Sequence, residues 1–416
     1  MNSVPAMDAA IKSSEPGCAQ GEVVTARVVL LTGGADKPYA LGLASSLLAA
    51  GVAFDFIGSN EVDGPELHGN PQVRFLNLRG DQRMDAGLLR KVFRVLVYYV
   101  RLLAYAVTSR APVFHILWNN KVEYLDRTLV LLFYRLCGKR IVFTAHNVNV
   151  RKRDGNDTWL NQWTLRIQYH LLAHVFVHTE RMKQELLADF GMVAERVSVI
   201  PFGINSTVPN TSLTPAAARE RLGLKLTDKV ALFFGNIAPY KGLEYLVEAT
   251  AALAATIPGL RLIIAGRPKG EPEYWDGIRQ QISAPGLREQ ITTRIEYVPD
   301  ADTEIYFKAA DVLVLPYTHI FQSGVLFLAY SFGLPTIATD VGSLKEDIIE
   351  GKTGLICKPR DPADLARTID TYFSSDLCRQ LASRRPEIQR FANEKHSWTK
   401  VGAITEAVYR KLTAGR

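Results

Sequence analysis

The chain has 416 residues, 47% of them hydrophobic, with 30 Gly and 20 Pro; this is too long for one ordinary core, suits two domains, and excludes a disordered chain. The net charge of +7 points to an anionic partner, either a phosphorylated ligand or an acidic membrane surface, with nucleic acid the weaker candidate. A slightly basic soluble protein with no such partner carries the same charge.

Residues 1–25 lack the basic end and apolar run of a signal peptide and read as a disordered extension. The four cysteines, Cys18, Cys137, Cys357 and Cys378, are far apart. They form no CxxC pair, which argues against zinc and favours a reducing compartment. No uncharged apolar stretch of about 18 residues occurs, so no spanning helix is expected.

Short apolar runs then alternate with helical patterns. ARVVLLTGG (26–34) comes first, then VAFDFIGS and VRFLNL, a helical stretch around 85–109, VFHILW, RIVFTAHN, HVFVHT and VSVIPFG. A polar, Pro-bearing segment follows and reads as an interdomain hinge. A second series comprises KVALFFGNI, LRLIIAGR, TRIEYVPD, VLVLPY, PTIATD and GLICKP. This alternation predicts an α/β fold with parallel sheets covered by helices on both faces. In such sheets ligands bind beyond the carboxyl ends of the strands. The GxGxxG, P-loop and GxSxG patterns are absent, which weakens the dehydrogenase, NTPase and hydrolase readings.

The strand-end loops carry the candidate chemistry. In FFGNIAPYKG, Gly235 admits a ligand to the backbone, and Lys241 either meets a phosphate or is a solvated lysine at a turn. Arg267, after Gly266, either pairs with a diphosphate or base or lies on the surface. In HIFQSGVLF, Ser323, Gly324 and Val325 open a helix whose free N–H groups suit an anion, while Ser323 could equally be a plain N-cap. Gln322 can bond a hydroxyl-rich group. Gly33, Gly34, His146 and Asn147 end strands in the first half; His146 is either a sugar partner or an ordinary loop histidine.

Taken together, GNIAPYKGLEYLVEA, LIIAGR, AADVLVLPY, SFGLPTIATDVGSLKEDIIEGKTGLICKPRDPADLA and the SW…Y tail resemble the family 4 glycosyltransferases of the GT-B fold. The likeness runs from about residue 25 to the end and is strongest over about 230–370. It implies two Rossmann-like domains facing a cleft: 26–205 for the acceptor, a linker at 206–228, 229–385 for a nucleotide-diphosphate sugar, and a helical segment 386–416 returning to the first domain. It implies a retaining transferase with no metal and no cofactor beyond the nucleotide sugar, acting on a saccharide or lipid-linked acceptor in polysaccharide or cell-envelope glycan synthesis. Lys241 and the 323–325 turn match the diphosphate site, with Gly235 beside them. Asn236 stands where an arginine is common, and Arg267 is the candidate replacement. Tyr297, Val298 and Pro299 match the base site, Gly33, Gly34 and Asn147 the acceptor side, and His146 a histidine near the donor sugar. The family's glutamate pair falls on Ile320 and Leu328, so Gln322 or His319 must supply any polar contact there. A nucleotide-sugar-binding or scaffolding protein without transfer activity is the alternative. An epimerase is a third reading, but it calls for cleft carboxylates that the sequence does not locate.

LLRKVFRVLVYYVRLLAYAV (88–107) has helical spacing, with Arg90, Arg94, Arg101 and Tyr105 toward one face. That face suits anionic headgroups; together with the reducing compartment read from the cysteines, the expectation is a cytoplasmic protein with a peripheral position on the inner membrane face as a further option. A helix packed on the sheet with a solvated basic edge is the bland alternative.

Overall fold

The computed structural model describes residues 27–33, 37–82, 87–153, 156–204, 208–270 and 272–414. The expected disordered extension 1–25 and the candidate Gly34 lie outside the described residues.

Among the described residues thirteen strands form two sheets. The first holds β1 (Val28–Leu31), β2 (Phe54–Gly58), β3 (Val73–Asn77), β4 (Val113–Ile116), β5 (Arg140–Ala145), β6 (His174–Val177) and β7 (Val197–Val199). The second holds β8 (Lys229–Phe234), β9 (Leu260–Ala265), β10 (Ile291–Arg294), β11 (Val312–Leu315), β12 (Thr336–Thr339) and β13 (Gly354–Cys357). Their orders are β3-β2-β1-β4-β5-β6-β7 and β10-β9-β8-β11-β12-β13, and every pairing is parallel. The chain order reverses beside β1 in one sheet and beside β8 in the other, which opens a crevice at each of these switch points. Strands such as VVLL are buried at every residue because helices cover both faces.

The helices used below are α1 (Lys37–Ala49), α2 (Leu88–Thr108), α3 (Leu131–Leu136), α4 (Trp159–Leu171), α5 (Glu180–Phe190), α6 (Leu243–Leu253), α7 (Asp300–Ala309), α8 (Gly324–Ser331), α9 (Leu381–Lys395) and α10 (Trp398–Thr413). Helices α2, α3, α4 and α5 cover one face of the first sheet through Tyr98, Leu131, Leu165 and Met182. Helix α1 and the C-terminal α10 share the core on the other face. Tyr409 of α10 shares a hydrogen bond with His115 on β4, and the Trp398 indole N–H donates to the Ile204 carbonyl at 2.8 Å. Thr158, Thr179 and Ser397 cap α4, α5 and α10 with side-chain oxygens. The polar segment before β8 is anchored rather than loose: Arg219 pairs with Asp311 at 2.7 Å, and Thr211 binds Glu304 of α7.

Two expectations shift. The run TRIEYVPD is not itself the strand; β10 ends at Arg294, where Gly266 N–H meets the Arg294 carbonyl and its one neighbour, β9, has already stopped. On α2, Tyr105 is not a surface residue with the arginines: its hydroxyl bonds Asp55 on β2 at 2.6 Å.

Candidate active site

Lys241 lies in the turn between β8 and α6. Gly242 follows it at φ 63°, and a Cβ there would stand 2.1 Å from the Pro316 carbonyl, so this tight approach of two strand-end loops needs glycine. Lys241 is 6% exposed, which removes the solvated-lysine reading. Its ammonium lies 4.0 Å from the Tyr317 ring centroid and 2.5 Å from the Tyr317 hydroxyl. That hydroxyl in turn lies 3.2 Å from Ser323 Oγ. Burial pushes the Tyr317 acid well up, so the phenol stays protonated and relays between lysine and serine.

Ser323 is buried at the start of α8 but makes no side-chain cap; its hydroxyl faces Tyr317 instead. The first-turn N–H groups of α8 have no intrahelical acceptor. Lys241, Ser323, Gly324 and Val325 line one cavity of ≈ 290 Å³, and Gly235 stands against Val325. A cation and a helix start thus meet in a concave, mostly apolar site, which is an arrangement for an anion. Tyr39, Phe202 and Gly203 close the cavity from the first domain, together with Trp398.

Gln322 also lines the cavity. Its amide N–H donates to Asp347 at 3.3 Å, and Asp347 pairs with Lys395 at 3.1 Å. The Gln322 carbonyl oxygen is buried without a partner, so the amide is oriented with its acceptor waiting for a donor. Ile320 and Leu328 are buried in the same wall, and no Asp or Glu among the described residues lines the cavity. His319 stands outside it, beside Phe321.

The other candidates stand apart from this cavity. His146 packs behind Tyr39 and Phe202, is stacked on Trp118 at 4.3 Å, and meets His178 at 3.1 Å through Nδ1. Burial, then the neighbouring His178, drives its acid well below the histidine range, so it is neutral at pH 7. Gly33 abuts Trp118: a Cβ there would lie 2.4 Å from the Trp118 carbonyl. Asn147 is half-buried after β5, and Asn236 half-buried after Gly235. Arg267 is exposed over the ring of Tyr297, itself 62% exposed, while Val298 is buried and Pro299 precedes α7. A second cavity of ≈ 460 Å³ shares Trp398 and is lined by Lys37 and Glu66 on one side and Asp300 on the other, which extends the cleft toward this group.

Residues 37–208 match the family model described as Glycosyltransferase Family 4, and residues 216–387 the model described as Glycosyl transferases group 1. The chain belongs to the family 4 glycosyltransferases. Among its relatives, this glycosyltransferase is 28% identical over 285 residues to a D-inositol 3-phosphate glycosyltransferase of Corynebacterium glutamicum, covering 66% of this chain and 67% of that protein. It is 32% identical over 209 residues to the protein of that name from Acidothermus cellulolyticus, covering 48% and 45%. Its matches therefore span about half to two thirds of the curated relatives' length. Sucrose-phosphate synthase from Thermosynechococcus elongatus superposes with a TM-score of 0.73 at 19% identity, over 94% of this chain and 99% of that one. Anabaena HepE in complex with UDP-glucose superposes with a TM-score of 0.67 at 17% identity, over 92% and 99%. At these identities the likeness is one of fold, the two-domain GT-B architecture.

Sequence reasoning missed Tyr39, Tyr317, Phe202 and the Asp347–Lys395 pair, all brought in from separate segments. Trp398 carried a faint signal, as one of two aromatics in the last helical pattern.

Proposed function

We propose that this glycosyltransferase moves a sugar from a nucleotide-diphosphate sugar to a hydroxyl of a saccharide or glycolipid acceptor. The observation that carries the reading is the cavity in which buried Lys241 meets the α8 N-terminus. A departing diphosphate gains charge there, and the ammonium and helix N–H groups are already oriented toward it, so they stabilise it without reorganisation. The unsatisfied Gln322 oxygen would accept from a donor-sugar hydroxyl. Neutral His146, held by Trp118 and His178, would fix the wall on the acceptor side. Relatives named for inositol-phosphate transfer and a fold neighbour that binds UDP-glucose support this class of donor and acceptor.

The test is a thermal-shift screen against UDP-, GDP- and ADP-sugars, followed by release of nucleoside diphosphate with candidate acceptors. One donor class is expected to stabilise the protein, and Lys241→Ala to lower its turnover by roughly 100-fold, about 2.7 kcal/mol. An unchanged rate in Lys241→Ala would remove the lysine from the reaction. Binding without turnover in the presence of a competent acceptor would favour a sugar-nucleotide-binding protein, a reading motivated by Ile320 and Leu328 in the cavity wall.

An anionic membrane surface is proposed as a further partner. On α2, Tyr98, Tyr99, Leu102 and Ala106 face the sheet, whereas Leu89, Phe93, Leu96 and Val100 are 60–87% exposed. At about 100° per residue, Arg90, Arg94 and Arg101 fall on a third sector flanking that apolar stripe. Helix α4, which packs on the same core cluster of the first sheet, carries the stacked Trp159 and Trp163, 77% and 48% exposed. Apolar and aromatic side chains beside cations match the headgroup boundary of an anionic bilayer. No helix among the described residues is long and apolar enough to cross a membrane. Flotation with vesicles should require anionic lipid and weaken by about tenfold or more in Leu89→Ser/Phe93→Ser. Equal flotation with neutral vesicles or with the variant would refute the docking.

A further inference from the structure

The Gln322 amide is set from outside the cavity. After β12, the turn at Gly342 lies so close to the 320–322 loop that a Cβ on Gly342 would stand 1.9 Å from the Ile320 carbonyl. Ser343 donates to the Phe321 carbonyl twice, through its N–H at 2.9 Å and its hydroxyl at 2.7 Å. This clamp puts Asp347, the last residue of the short helix Leu344–Asp347, against Gln322. Asp347 is buried and divides its oxygens between two partners. Oδ2 accepts from the Gln322 amide at 3.3 Å, and Oδ1 pairs with the Lys395 ammonium at 3.1 Å. His396 Nε2 lies 3.5 Å from Oδ1, but burial lowers its acid to about 4, so Lys395 supplies the opposing charge. Lys395 ends α9, and His396 opens the crossing to the first domain. The His396 carbonyl accepts from the Ile204 N–H at 3.3 Å, and its ring packs on Phe327 of α8 with centroids 4.5 Å apart. The carboxylate that holds Gln322 is thus itself held where the second domain returns the chain to the first.

The polarity of the amide follows from this contact. A carboxylate offers acceptors only, so the Gln322 NH₂ must face Asp347. That leaves the Gln322 oxygen on the other side, in the cavity wall, with no protein partner. We propose that Asp347 is a positioning residue for sugar transfer: anchored by Lys395 at the domain crossing, it fixes the Gln322 oxygen as an acceptor for a donor-sugar hydroxyl. The role rests on the transfer reading above; the contact between Asp347 and Gln322 does not. Asp347 acts on the sugar and not on the nucleotide, because the diphosphate is assigned to Lys241 and the start of α8.

The experiment uses the full chain and compares the dissociation constants of UDP-glucose and UDP, with GDP-mannose and ADP-glucose run against their own nucleotides. In Asp347→Asn, Lys395 keeps the asparagine oxygen, so the new NH₂ turns toward Gln322 and flips that amide. A donor then replaces the acceptor in the cavity wall. Affinity for the nucleotide sugar is expected to fall roughly tenfold, while affinity for the nucleotide alone changes less than about twofold. Gln322→Glu alone sets two carboxylates face to face and should lose as much. Asp347→Asn/Gln322→Glu restores a donor-to-acceptor contact and returns an oxygen to the cavity. It should recover most of the loss, which a merely structural Asp347 would not do. Melting temperatures of the same variants without ligand read the contact itself, and the double variant should be more stable than the single losses sum to. Lys395→Met, at a half-exposed position, covers a failure of Asp347→Asn to fold and should weaken nucleotide-sugar binding severalfold. Additive melting shifts, equal losses for nucleotide and nucleotide sugar, or no recovery in the double variant would overturn the proposal. Failure of the transfer reading looks different: no nucleotide or nucleotide sugar binds the unmodified chain, and the positioning role falls with it although the melting shifts stay coupled.

Discussion

Lys241 and His115 show how burial decides what an ionisable side chain does. Lys241 is buried under a phenol and lines the cavity at a helix start, where it is placed to meet an anion. His115 is fully buried between Tyr409 and Thr144, and desolvation lowers its acid to about 3. Burial likewise lowers His174, His178 and His396 to about 4. The unfolded chain, with histidine near 6.5, therefore takes up protons before the folded one does. The stability these groups allow is complete above about pH 6.5 and is lost as the pH falls toward about 4, at up to about 1.4 kcal/mol per pH unit for each histidine. Urea titrations at several pH values should show this slope, and His115→Gln should flatten it by about one such increment. An unchanged slope in that variant would show that His115 is not protonated on unfolding. The residue types at the cavity were legible, since a lysine before glycine and a Gln-Ser-Gly turn after a strand announce themselves. Burial was not legible, and burial turned Lys241 from a choice between two readings into a constrained cation.

Among the elements, α10 is held by its first residue. The Trp398 ring is pinched between α1 and the segment after β7: a Cβ on Gly42 or on Gly203 would each stand 2.2 Å from it. Gly42→Ala gains helix propensity but must push an indole that also lines both cavities, for a net cost of about 1–3 kcal/mol. Gly277→Ala, in the helix Pro272–Ile282 with nothing within 4 Å of its new methyl, is the control and should stabilise by up to about 1 kcal/mol. Thermal unfolding of both variants checks this; a stabilised Gly42→Ala would mean that the Trp398 contact yields. The elements themselves were readable from short β-rich runs with polar ends. The misplaced β10 follows from pairing: a β-prone run after Arg294 has no neighbour left at the sheet edge. Helix α2 was readable as amphipathic, but only packing separates its sheet-facing tyrosines from the exposed leucines, because both are apolar in sequence.

For the whole molecule, alternation of strand and helix determined the α/β class and the parallel sheets, since a buried parallel strand must be apolar throughout and its crossover must be helical. The order and spacing of the second-half motifs determined the family. The sequence also marked Lys241, Gln322 and residues 323–325, because strand-end loops in one sheet are local features. What tertiary structure alone decided is how the two halves meet. Tyr39, Phe202 and Trp398, distant in the chain, close the cavity over Lys241, and Asp347 orients Gln322. Such contacts depend on packing between elements whose spacing in sequence carries no record of their distance in space.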